Sequence, residues 1–193
     1  MNWPNALTLL RIVLVPVFIV VFFAPVRWAN EVTALLFAIG ALTDWLDGYL
    51  ARRLGQTSHF GAFLDPVADK LMVATVLVLL VQADPTAAMA VPAVVIIGRE
   101  IAVSALREFM AEIGARATVK VAFVGKVKTT AQMIAIILML YAVRDREPLF
   151  GIPVYEVGFV MLYVAAVLTL WSMFVYLRAA WPRLKPGAES AGD

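Results

Sequence analysis

Six stretches of about twenty mainly apolar residues follow one another along this chain, at 7–26, 31–53, 61–82, 87–110, 120–142 and 154–178. Twenty such residues, coiled as a helix, match the thickness of a bilayer's hydrocarbon core. The connections between them are too short to hold another domain. Composition leads to the same solvent. Of 193 residues 63% are hydrophobic and only 16% charged, where a soluble domain has about 25% charged residues. Mean hydropathy is +0.88. A soluble chain of this length cannot hide so much apolar surface, so the expected fold is an all-α integral membrane protein, a bundle of six transmembrane helices.

The first stretch has the apolar character of a signal peptide, but Arg11 interrupts it, Pro16 lies within it, and five equally apolar stretches follow. A retained first span is the better reading. Residues 1–185 form one domain on this reading, and the polar tail 186–193 is expected to be disordered. Lysine and arginine set the orientation. With the N-terminus in the cytoplasm, the inner ends hold Arg52, Arg53, Arg107, Arg116, Lys120, Lys126, Lys128, Arg178, Arg183 and Lys185. The outer connections hold Arg27, Arg144 and Arg146, the last two beside Asp145 and Glu147. Both termini are therefore expected in the cytoplasm. The net charge of +2 is mild and the pI is near 9.0, which suits contact with anionic lipid or phosphate; no nucleic-acid partner is expected. Zero cysteines exclude disulfides, thiolate metal sites and cysteine nucleophiles.

Against this background Asp44, Asp47, Asp65 and Asp69 stand out, on either side of the turn between spans 2 and 3. Asp44 and Asp47 are three apart and Asp65 and Asp69 four apart, so each pair shares a helical face. Counted inward from the turn at 1.5 Å per residue, Asp44 and Asp69 lie about 12–14 Å down their helices and Asp47 and Asp65 about 6–9 Å. Two antiparallel helices then bring four carboxylates together at matching depths, in a pocket open to the cytoplasm. On insertion scales each costs about 2.5–3.5 kcal/mol at mid-membrane, so four approach about 10–14 kcal/mol before compensation. The nearby cations are Arg52, Arg53 and Lys70, which do not match the set. A divalent metal is the natural counter-charge, because hard cations take oxygen ligands from carboxylates and phosphates together. Four aspartates suffice for two ions about 3.5–4 Å apart, the arrangement used in phosphoryl transfer. A structural reading exists for Asp65 alone: followed by Pro66, it has the form of a helix N-cap. Small residues at Gly40, Ala41, Gly48, Ala51, Gly61, Ala62 and Ala68 permit close approach of backbone or ligand.

Written as a pattern, the stretch is Asp44-x2-Asp47-Gly48-x2-Ala51-Arg52-x8-Gly61-x3-Asp65-x3-Asp69, eight specified residues over 26 positions. It resembles, at every position and spacing, the signature of the CDP-alcohol phosphatidyltransferases. "PNALTLLR" at 4–11, "GREIAVSALREFMAEIG" at 98–114 and "VGKVKTTAQM" at 124–133 look like the bacterial phosphatidylglycerophosphate synthases within that family. The resemblance covers nearly the whole chain and implies a transfer of a phosphatidyl group from CDP-diacylglycerol to sn-glycerol 3-phosphate, releasing CMP. It implies that Asp44, Asp47 and Asp65 ligate Mg²⁺ or Mn²⁺, and that Asp69 completes the metal site and serves as general base. Gly48 and Arg52 are implied at the nucleotide diphosphate, with Ser58, Gly61, Asn5 and Thr8 beside the CDP-lipid. Arg52 also reads as a topology-setting cation, and Asn5 as an N-cap. A bacterial cytoplasmic membrane, a cytoplasmic active site and a homodimer follow by resemblance as well.

An anionic acceptor fits a second, basic set: Arg99 and Arg107 on span 4, and Lys126 and Lys128 on span 5. Guanidinium forks suit phosphate; the rival reading is internal salt bridges to Glu100 and Glu108. "GKVKT" is not a phosphate-binding loop of the nucleotide-hydrolase type, since the upstream glycine and strand are missing. His59, the single histidine, reads as a solvated turn residue. Three other functions remain to be weighed: the same chemistry on another acceptor (inositol phosphate, serine or phosphatidylglycerol); a small cation transporter, which would spread acidic groups across the membrane rather than gather them at one end; and a prenyltransferase with aspartate-rich motifs, whose chains are generally longer and lack this spacing.

Overall fold

A computed structural model describes residues 3–54, 59–112, 122–143 and 148–184, while inside the helices the side chains of 3–7, 45, 47–54, 59–60, 62–63, 122–126 and 182–184 are not described. The described residues form six helices: α1 (Trp3–Phe23), α2 (Ala29–Leu54), α3 (His59–Ala83), α4 (Ala87–Glu112), α5 (Ala122–Ala142) and α6 (Val154–Leu184). Each expected span corresponds to one helix. Two of them, Ala87–Glu112 and Val154–Trp181, are long and apolar enough to cross a membrane, and Thr8–Phe23 and Val127–Ala142 are shorter apolar stretches. No strand occurs among the described residues beyond a single bridge between Leu149 and Ile152. That bridge closes a tight turn before α6, in which Phe150 and Gly151 both take positive φ, 53° and 80°, as a two-residue primed turn requires.

Local chemistry sets several helix ends. The Thr86 hydroxyl accepts the Met89 backbone N–H at 3.2 Å, an N-cap that starts α4. The capping reading of Asp65 is overturned. α3 is already helical at His59 and runs through Pro66, so Asp65 sits inside the helix. Asn5 likewise lies within α1 rather than before it.

The helices pack side by side in one bundle. Their apolar core, with Phe18, Phe37, Leu77, Leu80, Met89, Ile136, Met139 and Leu162 among its buried members, fills the half of the bundle away from the aspartates. The outer surface stays apolar at Val20, Leu35, Val78, Val94, Ile101 and Val167, as lipid contact demands. α1 packs on both α2 and α3, α5 on α2 and α6, and α4 on α3 and α6, while α2 and α3 touch only slightly. Where Gly40 of α2 meets Met72 of α3, an added Cβ would lie 2.6 Å from the Met72 sulfur. This contact is one turn deeper than Asp44 and Asp69. It is one of the few places where the two helices touch.

Candidate active site

The residue that gathers the carboxylates is on neither aspartate helix. Arg11 of α1 is fully buried, at 0% exposure, while the side chains of Asp44, Asp65 and Asp69 keep 42%, 43% and 39% of theirs. Its Nη1 donates to Asp44 Oδ1 at 2.9 Å and also to Asp69 Oδ1. Its Nη2 lies 3.5 Å from Asp65 Oδ1. One turn earlier, on the same face of α1, the Thr8 hydroxyl donates to Asp65 Oδ1. The depth pairing expected of Asp44 and Asp69 thus appears as two oxygens on one nitrogen. Asp65, nearer the turn, meets the other nitrogen and Thr8.

This corrects the sequence reading in two ways. Along the sequence only Arg52, Arg53 and Lys70 count as nearby cations, yet a cation at the centre of the described carboxylates is Arg11. And α2 and α3 do not assemble the cluster alone: they touch only slightly, and α1 lies against both and ties them together. A signal for Arg11 was present. An arginine in an apolar span must find an anion, and the default reading of such a residue is functional. What the sequence lacked was the partner, 33 to 58 residues away.

Other expected site residues fall differently. Asp47, Gly48 and Arg52 lie on the last turns of α2, Asn5 on the first turn of α1, and Lys126 on the first turns of α5, all with side chains outside the described set. Ser58 lies outside the described residues altogether. Gly61 is buried on the first turn of α3.

The basic residues form a second network around one acid. Glu100 Oε1 accepts from Arg99 Nη1 at 2.8 Å and from Lys128 Nζ at 3.0 Å, so the internal salt bridges weighed from sequence exist for these two cations. Arg99 also donates to Ser172 Oγ of α6 at 3.0 Å. Lys128 is buried, at 3% exposure. Arg107 goes elsewhere: it donates to the Tyr176 hydroxyl at 2.9 Å, with its guanidinium 5.1 Å from that ring's centre. A cavity of about 520 Å³ is lined by members of both networks: Asp44 and Asp69, with Lys70, and Glu100 and Lys128, with Thr129 and Gln132. Leu71, Val73, Ile97 and Met133 supply apolar wall.

Among the described residues no group of three acidic, histidine or cysteine side chains is disposed about a single metal position; Asp47 is outside that set. The donor chemistry nevertheless fits a divalent ion. Three carboxylate oxygens, all hard ligands, converge from two helices on one positive group.

With this geometry in hand, comparison with known proteins is informative. A family model described as CDP-alcohol phosphatidyltransferase matches residues 1–171. The chain is 53% identical over 180 residues to the CDP-diacylglycerol–glycerol-3-phosphate 3-phosphatidyltransferase of Sodalis glossinidius, covering 93% of this chain and 95% of that protein. The Pseudomonas fluorescens protein of the same name is 53% identical over 186 residues, covering 96% and 93%. That of Yersinia enterocolitica is 52% identical over 184 residues, covering 95% and 97%.

Proposed function

Since the chain belongs to the CDP-alcohol phosphatidyltransferase family, we propose that it transfers the phosphatidyl group of CDP-diacylglycerol to sn-glycerol 3-phosphate, giving phosphatidylglycerophosphate and CMP. The observation that carries this reading is one cavity lined both by the carboxylates Asp44 and Asp69 and by Lys128. An acceptor that is an alcohol at one end and a phosphate at the other needs both.

In this reading a hydroxyl of glycerol 3-phosphate attacks the phosphorus that bears the diacylglycerol. The new P–O bond forms as the P–O bond to CMP breaks, and Asp69 takes the hydroxyl proton. Asp69 is suited to that role because it lines the cavity, and a base must reach the proton it removes. Lys128 faces the same space from α5 and holds the acceptor phosphate, with Arg99, Arg107 and Lys126 as further candidates. Asp44, Asp47 and Asp65, with Asp69, hold a divalent metal, Mg²⁺ or Mn²⁺ and two ions in the fullest form; when bound, it neutralises charge on the diphosphate. Asn5, Thr8, Gly48, Arg52, Ser58 and Gly61 line the CDP-lipid side. Six spans, cytoplasmic termini, and an active site on the cytoplasmic face of a bacterial inner membrane complete the reading, with a homodimer as its assembly.

Purified protein incubated with CDP-diacylglycerol, Mg²⁺ or Mn²⁺ and a panel of acceptors tests this by CMP release. Release with glycerol 3-phosphate is expected. Release only with another acceptor would move the substrate and keep the family chemistry; no release with any would sink the assignment.

A further inference from the structure

Arg11 belongs to none of the eight signature positions, yet it touches three of the four signature aspartates. Guanidinium is charged at every relevant pH and offers donors in a fixed planar fork. Here one nitrogen spans Asp44 and Asp69 and a second reaches toward Asp65. It engages one oxygen, Oδ1, of each of the three carboxylates that the proposed function assigns to the divalent ion. A carboxylate oxygen has few lone pairs, and a cation brought within a few ångströms of a buried guanidinium meets like-charge repulsion that solvent screens poorly. α1 packs on both aspartate helices, and the flanking Leu10 and Ile12 are apolar, so the arginine is held in place by its helix.

We propose that Arg11 is the internal counter-cation of the aspartate cluster: it holds Asp44, Asp65 and Asp69 together across α2 and α3, and it competes with the divalent ion for their oxygens. It is a positioning residue, acting through the aspartates rather than on substrate. The consequence is a deliberately weakened metal site. Its affinity rises when further negative charge, such as a nucleotide diphosphate, enters and offsets Arg11. The inference rests on the metal-binding role given to the aspartates above.

The test is Mn²⁺ binding to the full-length protein in detergent, read by electron paramagnetic resonance without substrate. Arg11→Gln should bind Mn²⁺ at least about tenfold more tightly than wild type, the factor that even water-like screening leaves between charges of one and two at such distances. Arg11→Lys keeps the charge but offers one nitrogen on a shorter stem, so it should tighten binding by a smaller factor of about two to five. Should Arg11→Gln not be recovered folded, the lysine variant decides alone. Unchanged or weaker Mn²⁺ binding in the recovered variants would overturn the competition and leave Arg11 a structural tie. If no form, wild type included, bound Mn²⁺, both this inference and the metal reading of the site would fail together.

Discussion

Two ion networks face each other across one cavity, and they are built in opposite senses. On the α1–α2–α3 side a single arginine serves three carboxylates, leaving a formal excess of negative charge. On the α4–α5–α6 side a single glutamate serves two cations, leaving an excess of positive charge. Each network pairs its buried member, Arg11 on one side and Lys128 on the other, because an uncompensated buried charge is costly. Neither is neutral. The difference teaches how one small bundle can hold a cation-loving group and an anion-loving group on one cavity: each keeps its own internal partner, and apolar side chains such as Val73, Ile97 and Met133 line the same space.

The contrast can be broken most sharply at Asp69. Asp69→Asn should lower kcat by about 10²- to 10⁴-fold, the range for loss of a general base, while CDP-diacylglycerol binding persists. Near-normal turnover in that variant would show that the proton goes elsewhere. On the opposite wall, Lys128→Gln should raise the KM for glycerol 3-phosphate by about tenfold, in line with about 1.5–3 kcal/mol for a hydrogen bond to a charged group, with little change in KM for the CDP-lipid. Equal changes in both constants would mean that the lysine serves Glu100 and the fold instead. Arg107 sharpens the boundary of the basic wall. Because it leans on Tyr176 and is exposed, Arg107→Ala should raise that same KM only a few-fold, and an effect confined to protein yield would take it out of the site. Gly40→Ala is expected to leave the kinetics least changed and to act on stability. Its methyl would press on the flexible end of Met72, costing about 1–3 kcal/mol as an overpacked contact, seen as a lower melting temperature in detergent. No shift would mean that Met72 simply moves aside and that the spacing of α2 and α3 does not depend on this contact.

Helices were the most legible part of the molecule. Length and hydropathy are local properties, and all six apolar stretches became helices within a few residues of their expected bounds. Asp65 shows where local reasoning misleads. An aspartate before a proline has the form of a cap, but α3 begins six residues before Asp65, at His59, and carries Pro66 in its interior, where proline removes an intrahelical hydrogen bond. Arg99 and Lys128 show a different limit. Both phosphate binding and internal pairing were open from sequence, and the pairing exists; it leaves Lys128 in the cavity wall and so does not exclude the phosphate role.

By itself the sequence determined that the chain is helical and apolar, that Asp44 and Asp69 share a depth, and that an acidic group and a basic group both belong to it. Those follow from spacing along one helix and from composition, which need no knowledge of neighbours. Only the tertiary structure decided that Arg11, 33 residues from Asp44 and 58 from Asp69, is the cation among the carboxylates, and that Glu100 gathers the lysine and arginine opposite. Which side chains meet depends on how each helix is rotated and which helices are adjacent. That is set by packing such as Gly40 against Met72 and α1 against both α2 and α3, and no single stretch of sequence states it.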